Sequence, residues 1–418
     1  MSTGASHAPP FRIGLLGHGT VGGAFAGLLA ERAEAIAQVT GRRPEIGGVL
    51  TRSQGDAGAI VDGSDLVVEV MGGVDPAREL VLRALRAGTH VVTANKQLLS
   101  RHGDELWDAA RASGAQLRFE AAVGGVVPVI RVLTESLAGA HVERVHGIVN
   151  GTTNFILTRM AETGASYADA LAEAQELGYA EADPTDDVSG ADAAAKMAIL
   201  ARLAFDTPVA FDAVRYEGIE SITADDLAYA RNLGLSLKLI GTAQRVGDGI
   251  SVRVHPAFLY GGHPLASVGG SFNAVTVESP AITEITISGP GAGGSQTASA
   301  ILGDVVTAMQ PRAVAPAPAQ RLPIVEDVPS AYYLHLAVDD RPGVLAELAQ
   351  VLGLQGISVK SFVQEGQGDQ AQLSMVLHPV LESRLRAAIE LLDGLGAVRS
   401  RPRAIRVIDE QFEQLEDR

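Results

Sequence analysis

A chain of 418 residues with a formal charge of −16 and no clustered basic stretch offers no face to a polyanion, which argues against DNA or RNA as a partner. Its 46% hydrophobic and 20% charged residues describe ordinary globular protein, long enough for two or three domains. Cysteine is absent and the ten histidines are scattered, so disulfides, thiolate zinc sites, cysteine nucleophiles and an HExxH metal helix are all excluded.

The opening MSTGASHAPP lacks the basic start and apolar run of a signal peptide, and nothing approaches the ~20 apolar residues of a membrane helix. The expectation is a soluble cytoplasmic protein without a membrane partner. Residues 11–16, FRIGLL, predict a strand, and GHGTVG then opens a helical run rich in alanine and leucine. Gly17, Gly19 and Gly22 fit GxGxxG, with Thr20 and Val21 inside the same turn. The first glycine permits the turn, the second lets backbone approach a pyrophosphate, and the third lets helix pack on strand. The competing reading is a tight turn alone.

EIGGVL, DLVVEVMGG, HVVTAN and QLRFEAAV are further apolar runs, alternating with helical patterns such as ARELVLRALRAG. That alternation predicts an α/β fold with a parallel sheet, a Rossmann-type NAD(P)-binding domain over residues 11–135. The second strand ends in Thr51, Arg52 and Ser53. Arg52 either pairs with the 2′-phosphate of NADP or is a solvated charge. Lys96, preceded by Thr93, lies just past the carboxyl end of an apolar run, where open α/β sheets bind ligands, so both are expected among the cofactor contacts.

Residues 136–310 mix helices and strands and read as an α+β domain. NGTTNFIL places Asn150, Gly151 and Thr152 at a helix start, where one polar side chain caps the helix and the cluster suggests backbone N–H groups facing a small polar ligand. Downstream, Glu181, Asp183, Asp186, Asp187 and Asp192 precede Lys196. Only four of the 33 Lys and Arg residues are lysines: Lys96, Lys196, Lys238 and Lys360. Where arginine supplies nearly every generic positive charge, a lysine marks a place that needs a compact ammonium able to give up a proton. Asp192 and Lys196 are four apart and share a helix face, so Lys96 and Lys196 read as catalytic or binding groups rather than surface ion pairs. Lys238 and Lys360 sit in apolar runs and read as solvated heads on buried stems. Residues 287–306 form a second glycine cluster entering a helix, in which Gly291 belongs either to a cofactor contact or to an interdomain hinge. Residues 311–330, rich in proline and alanine, predict a semi-rigid linker. Residues 331–408 read strand, helix, strand, strand, helix, a small third domain.

GLLGHGTVG, TANKQLL, FEAAVGGVVPVI, GIVNGTTNFIL and AQELGYAEADPTDDVSGADAAAKMAILA, in this order and spacing, resemble the homoserine dehydrogenase family from residue 11 to about 310. The resemblance implies reversible NAD(P)H-dependent reduction of L-aspartate 4-semialdehyde to L-homoserine, on the route to threonine, methionine and isoleucine. It implies Glu181 and Asp192 holding the substrate, Lys196 donating a proton, Lys96 between cofactor and substrate, and Gly291 touching the cofactor. Glu120, with the backbone of Val123, Gly125 and Val127, resembles the family's monovalent-cation site for Na+ or K+. The family usually has a small residue where Val127 stands, a departure that backbone coordination tolerates. Residues 331–408, with DRPGVL at their first helix, resemble a βαββαβ ACT domain, a module that binds an amino acid and pairs across subunits. A dimerisation module without ligand is the alternative.

The chemistry agrees with the residues. Hydride delivery to an aldehyde leaves an alkoxide, which needs a positioned acid. An ammonium stabilises the charge and supplies the proton, and a second cation, Lys96, would ease release from a lysine whose ordinary pKa is about 10.4. Glu181 or Asp187 can pair with the substrate ammonium, Asp192 can orient Lys196, and Asp183 before Pro184 shapes a turn. The expected assembly is a monofunctional homo-oligomer, dimer or tetramer, inhibited by L-threonine at the loop 339–343. Truncation after Arg321 is expected to spare activity and remove that inhibition. A ligand sensor without turnover, or a reductase of another carbonyl, are the competing readings; the first should lack Lys96, Lys196 or Asp192, and the second leaves the acidic segment without a purpose.

Overall fold

In the computed structural model, which describes residues 9–310, 321–366 and 371–408, the alternating pattern closes into a parallel sheet. Strands β1 (Phe11–Leu16), β2 (Pro44–Leu50), β3 (Leu66–Glu69), β4 (His90–Thr93) and β5 (Leu117–Arg118) lie in the order β2-β1-β3-β4-β5. The inner strands β3 and β4 are buried at nearly every position because both faces are covered by helices, whereas the edge strands β2 and β5 are partly exposed. Leu66 and Val68 face one core with Phe25 and Leu29 of α1 (Thr20–Thr40). Val67 and Val91 face another with Val81 and Leu85 of α3 (Ala77–Arg86), which follows α2 (Ala57–Asp62), and Leu98 of α4 (Lys96–Ser113). The strand order reverses between β1 and β3, so their carboxyl ends open the crevice in which such sheets bind ligands.

After a short turn, α5 (Val129–Arg131), the chain builds β6 (Arg144–Ile148), then α6 (Gly151–Thr163), α7 (Tyr167–Glu176), α8 (Thr185–Val188) and α9 (Ala191–Phe205). The small strand β7 (Arg215–Tyr216) and α10 (Ala224–Asn232) lead to the long hairpin β8 (Leu235–Val246) and β9 (Gly249–Tyr260), then β10 (Phe272–Ser279) and β11 (Thr283–Pro290). The alanines of α9 have a packing reason. The helix is buried along nearly its whole length, and it approaches β8 so closely that a Cβ on Gly241 would lie 2.4 Å from Met197 Cγ.

Helix α11 (Gly294–Ala308) returns to the first unit, where Ala298, Ile301 and Val305 join Phe11, Ile13 and Phe25 in one core. The segment after the second glycine cluster is thus a packed helix. The third unit is β12 (Ser330–Ala337), α12 (Val344–Leu354), β13 (Val359–Glu365), β14 (Gln372–Val380), α13 (Glu382–Asp393) and β15 (Arg403–Ile408). Its strands run β15-β12-β14-β13, and β15 pairs in parallel with β9 through Arg406↔Ala257, Val407↔Phe258 and Ile408↔Leu259. Among the described residues, middle and C-terminal units therefore share one ten-stranded sheet.

Residues 311–320 of the expected linker lie outside the described residues. Beyond them the chain runs along β9, with Ile250 N donating to Pro323 O (2.9 Å) and Val325 N to Ile250 O (2.7 Å). No helix among the described residues is long and apolar enough to cross a membrane.

Candidate active site

The three glycines of GHGTVG meet three different demands. Gly17 has φ +104° and a Cβ there would lie 2.7 Å from Val70 O. A Cβ on Gly22 would lie 2.1 Å from Gly17 O, while around Gly19 there is nothing within 4 Å. Strand, loop and helix are thus pressed together at Gly17 and Gly22 and left open at Gly19. That residue is the N-cap of α1 and offers no side chain to its first N–H groups, which stay available to an anion. Thr20 and Val21 form the first turn, with Gly294 packed beside Thr20. Gly291 lies beneath, its carbonyl against Gly125 and its Cα against the Asn273 amide. Arg52 is exposed beyond β2 and pairs with no carboxylate among the described residues.

Lys96 opens α4 because Asn95 caps it, accepting from Leu98 N at 3.0 Å and donating to Gly73 O at 2.6 Å. Thr93, expected among cofactor contacts, is committed elsewhere. Its hydroxyl donates to the buried Glu69 (2.6 Å) and accepts from Asn95 N (3.0 Å), which fixes the loop carrying Lys96. Burial pushes the Glu69 carboxyl up, against those hydrogen bonds.

From the second unit, α9 begins after Gly190 at φ +88° and projects Asp192 and Lys196 from consecutive turns. Lys196 Nζ lies 2.6 Å from Asp192 Oδ2 and donates to Val149 O at 2.8 Å. Lys96 Nζ pairs with the other oxygen, Asp192 Oδ1. One carboxylate, 2% exposed, therefore holds two ammonium groups from different units. Burial alone would raise Asp192, but the two lysines outweigh it and hold it well below the usual carboxylate range. Burial alone would lower Lys96, but Asp192 outweighs it and raises that ammonium.

Asn150 supplies what the sequence reading missed. Beyond capping α6 through Thr153 N (2.9 Å), its amide nitrogen donates to Asp187 Oδ1 (2.7 Å) and Asp192 Oδ2 (2.9 Å). Thr152 Oγ1 lies 2.7 Å from Tyr179 O and 3.0 Å from Asp187 Oδ2. Gly151 is required by the approach of the loop ahead of β10, since a Cβ would meet Ser271 O at 2.6 Å. Burial and repulsion from Asp192 push Asp187 up. Glu181, by contrast, is exposed and makes no ion pair among the described residues.

Lys238 departs from its reading as a solvated head. It is 5% exposed, and Nζ donates to Asn154 Oδ1 (3.1 Å) and Val268 O (2.6 Å). Burial pushes it down to about 8, outweighing the attraction of Glu162. Lys360 is exposed as read, its Nζ 5.8 Å from the Tyr260 ring.

Glu120 is buried. Its carboxylate accepts from Ile130 N (2.8 Å) and Arg131 N (3.0 Å), and its own N–H donates to Asp304 Oδ2 (2.8 Å). Burial and the Asp304 carboxylate push it up to about 7. Gly124 and Gly125, at φ +75° and +63°, turn the loop between Val123 and Val127. Among the described residues no group of three or more His, Cys, Asp or Glu could hold a metal ion.

Family models agree with this architecture: "homoserine dehydrogenase" matches residues 128–306, "homoserine dehydrogenase, NAD binding domain" residues 17–120, and "ACT domain" residues 333–397. A homoserine dehydrogenase of Corynebacterium glutamicum is 46% identical, covering 94% of this chain and 95% of its own. The chain belongs to the homoserine dehydrogenase family. It is an oxidoreductase with an NAD(P)-binding domain and a C-terminal ACT domain. The crystal structure of a homoserine dehydrogenase from Thiobacillus denitrificans matches with a TM-score of 0.91 at 40% identity, covering 96% of this chain and 99% of that one. A hyperthermophilic archaeal homoserine dehydrogenase mutant in complex with NADPH matches with a TM-score of 0.61 at 30% identity, over 72% of this chain and 97% of that one.

Proposed function

We propose that Lys96, Asp192 and Lys196 form the reaction centre for interconverting L-aspartate 4-semialdehyde and L-homoserine. The observation that carries this reading is the Asp192 carboxylate bridging ammonium groups from both units. A bound NADPH at the Gly17–Gly22 loop would supply the hydride. As negative charge grows on the aldehyde oxygen, Lys196 gives it a proton, and Lys96 adds a second positive charge beside it. Asp192 keeps both side chains aimed, and Asn150 fixes Asp192. Asp187 receives the substrate ammonium, with Glu181 of the same acidic segment as the second proposed acid. Gly151 and Thr152 line the same floor. The test follows reduced-nicotinamide absorbance with the semialdehyde, and separately with homoserine and the oxidised cofactor. Turnover with another aldehyde but neither of these would overturn the substrate assignment.

The cofactor is proposed to be NADP in preference to NAD, because Arg52, exposed just past the end of β2 and without a carboxylate partner among the described residues, is suited to pair with a 2′-phosphate. Arg52→Asp is expected to shift kcat/KM from NADPH towards NADH, and an unchanged ratio would return Arg52 to the surface charges. At Glu120, two buried carboxylates share one close guanidinium, since Arg131 Nη2 lies 3.2 Å from Asp304 Oδ1. A monovalent cation fits that deficit of positive charge. Glu120 and the carbonyls of Val123, Gly125 and Val127 would hold it, steadying the loop beneath Gly291.

Pathway feedback is the proposed task of the ACT domain. The loop after β12 borders a cavity of about 150 Å3 lined by Asp339, Asp340, Gly343 and Gln364, where the start of α12 can receive a carboxylate. L-threonine is the proposed inhibitor. The exposed Phe362 and Val363 on β13 suit a homo-oligomer, and the cytoplasm is the proposed compartment. Truncation after Arg321 is a poor test of feedback, because it would strip β15 from β9 and uncover Phe258, which packs edge-on against Tyr333 with centroids 5.2 Å apart. Asp340→Ala is the sharper one. It should leave basal turnover intact and raise the half-inhibitory threonine concentration about tenfold, within the 1–3 kcal/mol typical of allosteric coupling. Equal sensitivity in an activity titration would place the effector elsewhere.

A further inference from the structure

At the seam between the middle unit and the ACT domain lies a cavity of about 370 Å3, bounded by β7, β9, the chain at 324–326, α13 and β15. None of its lining residues carries a role assigned above, and its chemistry is unlike a packing defect. On β9, Arg253 and His255 point to one face, and Arg215 of β7 stands beside Arg253 in register. Glu217 follows, its N–H donating to Val254 O at 2.9 Å.

Charges here are unevenly matched. Arg215 pairs with Glu326, and Glu382 takes both Arg386 (2.9 Å) and Arg406. Arg253 has no carboxylate among the described residues; Nη1 donates only to Ser251 Oγ at 3.2 Å. Among the described residues, the buried Nε atoms of Arg253 and Arg406 and the Nε2 of His255, itself 3% exposed, have no hydrogen-bond partner. A buried polar atom without a partner costs about 1–3 kcal/mol. Three of them, from Arg253, Arg406 and His255, belong to residues that line one cavity. His255 Nδ1 lies 3.2 Å from Pro256 O, an arrangement that puts the proton on Nδ1 and leaves Nε2 as an acceptor. Burial keeps that ring neutral. The cavity therefore presents the guanidinium groups of Arg253 and Arg406 and, beside Arg253 on the same face of β9, the imidazole acceptor of His255, with the exposed Glu217, which makes no ion pair among the described residues, at the mouth.

We propose that this cavity is a second small-molecule site, for an α-amino acid or a zwitterion of that size, whose carboxylate lies against Arg253 and Arg406 and whose ammonium faces His255 and Glu217. Bound there, the ligand touches β9 of the catalytic sheet and β15 of the ACT domain together, tightening the junction through which the two units share a sheet. It is separate from the cavity at Asp340.

Calorimetric titration of the full chain with glycine, L-threonine, L-methionine and acetate tests it. At least one amino acid should bind the Asp340→Ala variant, in which the ACT-loop cavity is impaired, at millimolar concentration or below, and at least about tenfold more weakly once Arg253→Gln is added. Acetate, having no ammonium, should bind less well and ignore Glu217→Gln, which should weaken the amino acid. Thermal unfolding supplies a readout independent of titration. Arg253→Met should raise the melting temperature of the ligand-free protein by removing an unpaired guanidinium, while abolishing any ligand-induced rise. Arg253→Lys, which keeps the charge without the fork, controls for folding. Failure of every probe to bind the Asp340→Ala variant, or binding unchanged once Arg253→Gln is added, would overturn the assignment.

Discussion

Lys196→Ala is expected to lower kcat by about 10²- to 10⁴-fold, the usual loss when a general acid is removed, while dinucleotide affinity stays near that of the wild type. The separation follows from the architecture. Lys196 rises from α9 in the second unit, whereas the dinucleotide loop belongs to the end of β1 and start of α1 in the first. Lys196→Arg should be no better, because a guanidinium does not release its proton in the relevant range. It is also too broad for a place where Nζ must reach both Asp192 Oδ2 and Val149 O. Steady-state rates together with a fluorescence titration of NADPH decide the matter. A wild-type kcat in the alanine variant would remove Lys196 from the chemistry, and a parallel loss of NADPH affinity would make its role structural.

Asp192→Asn should have the second large effect, on turnover and stability together. The substitution keeps shape but leaves two neighbouring ammonium groups without their counter-ion, and breaking a buried pair by removing one partner typically costs about 3–5 kcal/mol. Because the folded-state carboxyl of Asp192 is depressed, the stability it contributes is fully present above its unfolded value of about 3.9 and is lost as pH falls below that. Denaturant unfolding of wild type and variant should therefore differ most near neutral pH and converge in acid. Curves separated by the same amount at both would show that the two lysines do not hold the carboxylate ionised.

The sequence made the dinucleotide loop and the lysine–aspartate pair legible because both are local. GxGxxG needs only its neighbours, and residues 192 and 196 meet by helix periodicity. Lys96 was found through composition, the shortage of lysines in an arginine-rich chain, yet nothing local says that it meets Asp192, nearly a hundred positions away. Asn150 looked complete as a helix cap, and its amide is used again on carboxylates 37 and 42 residues downstream. Thr93 looked like a ligand contact from its place at a strand end, but β3 and β4 pair in the register Glu69↔Thr93 and bring it a buried acid instead. Lys238 failed the rule of snorkelling heads because β8 is covered at that point by α6 and the loop at Val268, which supply the acceptors. The β15–β9 pairing joins strands about 150 positions apart with no charge or turn signal to announce it, so a separate domain on a linker was the natural reading.

Chemical rescue examines the proton donor most directly. Adding methylamine to Lys196→Ala under saturating NADPH and aspartate semialdehyde should restore turnover in proportion to the methylammonium concentration, and give little in Lys96→Ala, where the proton donor is still present. Restoration in Lys96→Ala but not in Lys196→Ala would contradict the account, because it would place the transferred proton on the first unit's lysine.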